Sequence, residues 1–304
     1  MGNSSSSGRS QPSSRQVLRE KLENASKTGV LNLSDQNLKP SSSIYLHIWD
    51  LATILRSLDL SGNVMKVLPS EFVLFSTLKN LNLSRCYLQR GRDLRSLSML
   101  KVIKLDQNDF EATTLPLFPE SLIKADISSN HLITFPSESF QGLLKLVELK
   151  LCKNRLLTLE GISVLVNLEV LLLDDNRLTF LSEELGLLSN LYQLSVKRNC
   201  IGKTYNPEDT IDSSTSKTNS NGGEKQAEKS GDEQSVAPEV FTDTRLVTLN
   251  LSGNYVTTDE LLEFDGVEDF IVRRKRLKDK LLTGGAMTDY SLFGMDSVDV
   301  EIED

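Results

Sequence analysis

The strongest constraint on what this chain can fold into is one short pattern that returns along most of its length. The segment from Leu55 to Met65 reads LRSLDLSGNVM. The same spacing of apolar residues recurs from Leu78 (LKNLNLSRCYL), Leu100 (LKVIKLDQNDF), Leu122 (LIKADISSNHL), Leu146, Leu168, Leu191 and Leu246, and a shortened first copy starts at Leu31. One column of the pattern holds Gln36, Asn63, Cys86, Asn108, Asn130, Asn154, Asn176, Asn199 and Asn254, at successive separations of 27, 23, 22, 22, 24, 22, 23 and 55 residues.

All but the last separation fall in the window of roughly 20–29 residues characteristic of leucine-rich repeats. Each repeat is one supersecondary unit that cannot bury its own apolar side alone, so neighbours must stack. Alternate apolar residues such as Leu58 and Leu60 place a short strand with its core side inward. The asparagine follows, where its amide both donates to and accepts from turn backbone, which an apolar residue cannot do. Cys86 is read as a turn residue of the same column. Ala125 stands where the pattern has leucine, which predicts looser packing of that copy. The fold expected is an α/β solenoid: a horseshoe with a parallel concave β-sheet and helical caps at both ends.

A stack must cover its ends. Residues 15–28 carry Leu18, Leu22 and Ala25 on one helical face with Gly29 beyond, which predicts an N-terminal cap helix. The array is expected over 29–257. Thr257-Thr258-Asp259-Glu260 has capping-box spacing, and the apolar stripe after it predicts one C-terminal cap helix over 258–283. Its basic run, Arg273 to Lys278, reads as the solvated side of that cap or as a nuclear import patch. The separation of 55 implies an insertion. Residues 203–240 are rich in Ser, Thr, Asn, Gly, Lys and Glu and are expected to be disordered. Within them Ser230, three residues before Glu233, suits an acid-directed kinase. Residues 284–304 form an acidic tail, expected to be disordered. Its end, VDVEIED, alternates apolar and acidic residues as strand-adding peptides do.

The 304 residues carry a net charge of −8, which argues against nonspecific nucleic-acid binding. Cys86, Cys152 and Cys200 have neither zinc-ligand nor disulfide spacing and suit a reducing compartment. The apolar runs are too short to span a bilayer, and the start lacks a secretory signal's apolar core. His47 and His131 have no accompanying nucleophile pattern, and the glycine pairs do not follow strands, so no phosphate-cradling loop is expected. No catalytic residue, metal site, cofactor or small-molecule substrate is read from the sequence. Trp49 is read as core.

The start, Met1-Gly2-Asn3-Ser4-Ser5-Ser6, fits the N-myristoylation pattern at Gly2, so residues 1–14 are expected to form a flexible acylated arm. One acyl chain binds membranes only marginally. The second signal available is basic, from Arg9, Arg15, Arg19, Lys21 and Lys27. The expectation is weak, reversible attachment to the cytoplasmic face of membranes. The start, the helix running into Lys27-Thr28-Gly29-Val30, the repeats, and the Asp265-Gly266 helix with its basic end together resemble the leucine-rich repeat-containing protein 57 family. That resemblance implies a small myristoylated repeat protein without enzymatic activity and with poorly defined partners. Residues 203–238 and the acidic tail depart from it and inherit nothing.

What remains is the outward side of the strands. Its central column is Asp59, Asn82, Lys104, Asp126, Lys150, Leu172, Ser195 and Asn250, flanked by Lys124, Glu148, Val170 and Gln193, with Asp174, Asp175, Lys197 and Arg198 at the strand ends. The alternating signs of Lys104, Asp126 and Lys150 fit a self-neutralising ladder. The functional reading is a protein-binding surface formed by Lys104, Asp126, Glu148, Lys150, Val170, Leu172, Asp174, Lys197 and Arg198, centred where apolar residues stand among charges. The function expected is a monomeric, cytoplasmic, membrane-proximal adaptor. The alternative is a nuclear or phosphatase-associated regulatory subunit on the same fold.

Overall fold

The computed structural model describes residues 14–202 and 234–283. The expectations for Gly2, for the arm up to residue 13, for residues 203–233 with Ser230, and for the tail from residue 284 lie outside the described residues. The chain divides into two compact units, Met1–Asn130 and His131–Asp304.

In the first unit a helix, α1 (Ser14–Thr28), leads into β1 (Val30–Asn32), and Ala25 is fully buried beneath it. The short helix α2 (Ile44–Asp50) follows, then β2 (Ser57–Asp59), β3 (Asn80–Asn82), β4 (Val102–Lys104) and β5 (Lys124–Asp126). The strands pair in parallel, in sequence order, with matched register: Leu58 faces Leu81, which faces Ile103, which faces Ala125. That register keeps the middle residue of each strand inward. Ala125 is buried and in line with the leucines. Behind the sheet, Trp49 stacks on Tyr45 and meets Phe72 and Phe75 edge-on at 5.5 and 5.7 Å.

In the second unit β6 (Glu148–Lys150), β7 (Val170–Leu172), β8 (Gln193–Ser195) and β9 (Thr248–Asn250) repeat the arrangement, again parallel and in order. Leu149, Leu171 and Leu194 are fully buried. The strands stop after three residues because the chain turns at once, and the asparagine column holds that turn. Asn176 Nδ2 donates to Leu173 O at 2.8 Å and to Leu151 O of the previous copy at 3.0 Å. Its Oδ1 accepts from Leu156 N at 3.1 Å. Asn63 does the same with Leu60 O, Leu33 O and Leu38 N. These amides are buried, so each satisfies three backbone groups that water cannot reach.

The residue just before this column is left-handed in all nine copies: Asp35, Gly62, Arg85, Gln107, Ser129, Lys153, Asp175, Arg198 and Gly253, with φ between 52° and 73°. Only two are glycine, so most copies carry about 1–2 kcal/mol of backbone strain that packing must offset.

Two expectations are corrected. The insertion expected to run to residue 240 ends sooner. Val236 bridges to Leu181, and the short helix α4 (Glu239–Thr242) buries Val240 and Phe241 completely. The copy containing β8 needs apolar side chains behind its strand, and this segment supplies them. The C-terminal cap is two helices, α5 (Thr258–Leu262) and α6 (Val267–Thr283), parted at Gly266. Gly266 has φ +81°, and a Cβ there would lie 2.6 Å from Thr242 Cγ2. The chain therefore bends where α4 approaches. Thr257 and Glu260 form the capping box, and Phe270 packs on Phe241 at 5.9 Å. Of the expected stripe, Val267 and Phe270 are buried while Ile271 is exposed.

Candidate functional site

Which outward-facing residues are free to bind anything depends on what the turns already use. In β1, β2, β3, β5 and β9 the last strand residue is Asn or Asp and a serine follows two positions later. Asp59 Oδ1 accepts from the backbone N of Ser61 at 2.9 Å and from its hydroxyl at 2.7 Å. Asn32, Asn82, Asp126 and Asn250 likewise accept from the backbone N of Ser34, Ser84, Ser128 and Ser252. These side chains close an Asx turn that starts the bend.

Asp126, one of the expected binding residues, is thus occupied structurally. Its register partner Lys104 is exposed. Both belong to the first unit.

In the second unit β6, β7 and β8 abandon this device together. The paired positions become Lys150 and Cys152, Leu172 and Asp174, and Ser195 and Lys197. Asp174 changes role and ties β7 to β8, accepting from the Ser195 hydroxyl at 2.5 Å and from Lys197 N at 2.9 Å. Asp175 and Arg198 form a two-pronged ion pair at 2.5 and 2.6 Å. The guanidinium holds the Asp175 carboxyl below its usual range. Lys150 lies 3.3 Å from Glu148. This pair sits within one strand, where residues two apart share a side. The sign ladder expected along the central column is therefore met, at Lys150, by a partner on its own strand.

Between these charges lie Val147, Val170 and Leu172, all half-buried, and Tyr192, 40% exposed. Lys150, Leu172 and Ser195 are register partners, as are Glu148, Val170 and Gln193. The geometry gathers Glu148, Lys150, Val170, Leu172, Asp174, Lys197 and Arg198 on one side of this sheet. Tyr192 was missed by sequence reasoning because it precedes β8. Its signal was its place directly before the strand, the position that Val147 holds before β6.

Arg273 of the basic run is not free. Its Nε donates to Leu246 O at 3.1 Å and its Nη2 to Phe241 O, tying α6 to α4 and the last strand. Burial lowers the pKa of this guanidinium, and Asp269 opposes that shift. Cys86 is buried and its thiol is pushed up to about 11 by desolvation. Its Sγ donates to Leu60 O at 3.3 Å, and its carbonyl takes Met65 N, the kind of donor that an asparagine Oδ1 accepts elsewhere. His47 stands 4.0 Å from Asp50. Among the described residues, no group of three or more His, Cys, Asp or Glu side chains gathers. No helix among them is long and apolar enough to cross a membrane.

Residues 121–178 match the family model described as Leucine rich repeat. With the in-order parallel strands of each unit and the buried asparagine column, that match decides the fold. The fold is a leucine-rich repeat solenoid. Curated relatives include osteomodulin of Rattus norvegicus, 31% identical over 169 residues that cover 53% of this chain and 39% of that protein. A probable serine/threonine-protein kinase, pats1 of Dictyostelium discoideum, is 28% identical over 181 residues, 55% of this chain and 5% of that one. The chain thus spans at most 39% of the length of these curated relatives. Among solved structures, internalin C2 of Listeria monocytogenes has a TM-score of 0.52 at 17% identity, covering 76% of this chain and 84% of that one. The TLR13–ssRNA13 complex gives 0.54 at 23% identity, covering 74% and 29%. Both likenesses concern the leucine-rich repeat fold alone.

Proposed function

We propose that this leucine-rich repeat protein is a non-enzymatic binding module that takes a protein partner on the outward side of β6–β8. One observation carries the reading: three adjacent strands give up the Asx–serine turn and present Val170, Leu172 and Tyr192 among paired charges. Arrays of this kind bind through the extended surface their repeats build. Half-exposed apolar residues ringed by charges have the make-up of an interface centre. The test is partner recovery by the wild type against Leu172→Glu combined with Lys150→Glu. Loss of the partner with an unchanged circular dichroism spectrum is expected. Full recovery by the double variant would move the surface elsewhere.

The proposal includes weak membrane attachment at the cytoplasmic face through acylation of Gly2, and this part rests on the motif Met1-Gly2-Asn3-Ser4-Ser5-Ser6 alone. Co-expression with N-myristoyltransferase followed by intact mass tests it. The wild type should carry a myristoyl adduct and Gly2→Ala none. No adduct on either would remove this part and leave the protein-binding reading intact.

A further inference from the structure

The first unit holds a row of cations that the reading above does not use. Arg56, Lys79 and Lys101 each stand immediately before a strand, and backbone bonds set them side by side. Lys79 N donates to Arg56 O at 2.8 Å, and Lys101 N donates to Lys79 O at 2.8 Å. Neighbouring strands are about 4.8 Å apart, so the row is a compact line of positive charge along one rim of the sheet. Arg56 and Lys79 are exposed and Lys101 is half-buried. None of the three forms an ion pair among the described residues. Lys27, at the end of α1, leads to the same rim through Gly29, whose carbonyl accepts from Arg56 N at 2.7 Å.

Two features say what this row meets. Ile54 and Met99, two residues before Arg56 and Lys101, are more than two-fifths exposed, so apolar side chains accompany the cations. That mixture suits the headgroup region of a bilayer. Across the outward side the charge is no longer uniform: Asp59, Asp106 and Asp126 stand among Lys104 and Lys124. An acidic polypeptide lying over the sheet would meet those carboxylates, whereas a flat surface touching the rim would not.

We infer that the rim formed by Arg56, Lys79 and Lys101 is a contact surface for anionic phospholipid. It extends the membrane attachment proposed above and rests on that reading for its tether, but not for its test.

The full chain with Gly2→Ala, which cannot be acylated, is sedimented at low salt with phosphatidylcholine vesicles with and without phosphatidylserine. Binding should require phosphatidylserine and weaken as salt screens it. Neutralising the row (Arg56→Gln, Lys79→Gln, Lys101→Gln) should weaken binding on the order of 100-fold, at about fivefold per cation. A second triple, Lys39→Gln, Lys66→Gln and Arg90→Gln, removes the same charge from exposed positions after the asparagine turns and should bind nearly as the parent does. Melting temperatures of both triples should match the parent, because the exchanged ends face solvent. Equal losses in the two triples would reduce the effect to net charge and overturn the assignment. So would binding that ignores phosphatidylserine, or a row that captures soluble polyglutamate and not vesicles. None of these failures bears on whether Gly2 is acylated, which intact mass reads separately.

Discussion

Arg85 reaches Asp35 across Gly62: its Nη2 lies 3.3 Å from the carboxylate, although the two residues are fifty positions apart and a whole repeat stands between them. All three occupy the left-handed position before the asparagine column. Gly62 leaves the gap, for a Cβ there would lie 2.0 Å from Asp35 Oδ1. Gly62→Ala should therefore lower stability by about 2 kcal/mol, from left-handed strain and displacement of Asp35. Adding Asp35→Ala should recover the steric part and leave about 1 kcal/mol of strain. Urea unfolding of the single and double variants measures both. Equal midpoints for the two would contradict the contact.

The buried amides should matter far more than exposed ones of the same type. Asn176→Ala strands Leu156 N, Leu173 O and Leu151 O, and should cost about 3 kcal/mol or more. Asn167→Ala removes an exposed bond to Leu144 O and should cost about 0.5 kcal/mol. Asn176→Cys should fall between them, because Cys86 already serves this column by donating to Leu60 O. Denaturant midpoints order the three.

The boundary of the insertion can be tested by two deletions. Removing residues 205–232 with a short glycine-serine join should leave the unfolding midpoint unchanged. Extending the cut through residue 241 also removes Val236, Val240 and Phe241, all fully buried. That deletion should cost several kcal/mol, about 3–5 for the phenylalanine alone. Similar stability of the two proteins would mean that this segment does not complete the β8 copy.

How much of this was legible in sequence depended on whether a position has a residue type of its own. The inward leucines and the asparagine column do, because burial and the turn each admit few alternatives, so the stacking and its order could be read directly. The left-handed position does not: Arg85, Gln107, Ser129 and Lys153 share no chemistry, and backbone geometry forced by the turn leaves no mark on composition. Residues 234–241 were missed because three apolar side chains, spaced for a short helix, follow a long polar run and look like part of it. The break at Gly266 was hidden by an apolar stripe that continues through it. At the candidate surface, the change from Asp59–Ser61 to Leu172–Asp174 was present in the letters. Its meaning needed the hydrogen bonds, which show that Asp126 is occupied and Leu172 is not.

Alkaline pH should destabilise the first unit in a defined window. Burial raises the Cys86 thiol from 9.0 to about 11 and the Tyr45 hydroxyl from 10.0 to about 12. Both groups are neutral when protonated, so the unfolded chain ionises first. The stability they contribute is full below about pH 9 and is lost as pH rises toward 11 and 12. Cys86→Ala should flatten the part of the decline that begins near pH 9, measured as the unfolding midpoint against pH. The same burial predicts that iodoacetamide leaves Cys86 unmodified in the native protein near neutral pH.

The most direct test of the central claim is site-specific photo-crosslinking from Leu172 in cells, beside the same probe at Leu144. Leu172 sits on the outward side of β7 and Leu144 is exposed just before the strand β6. Competition by excess unlabelled protein separates a saturable contact from random collision. The account predicts a discrete adduct from Leu172 that competitor abolishes and that Lys150→Glu weakens, with no matching adduct from Leu144. A competable adduct from Leu144 and none from Leu172 would contradict it.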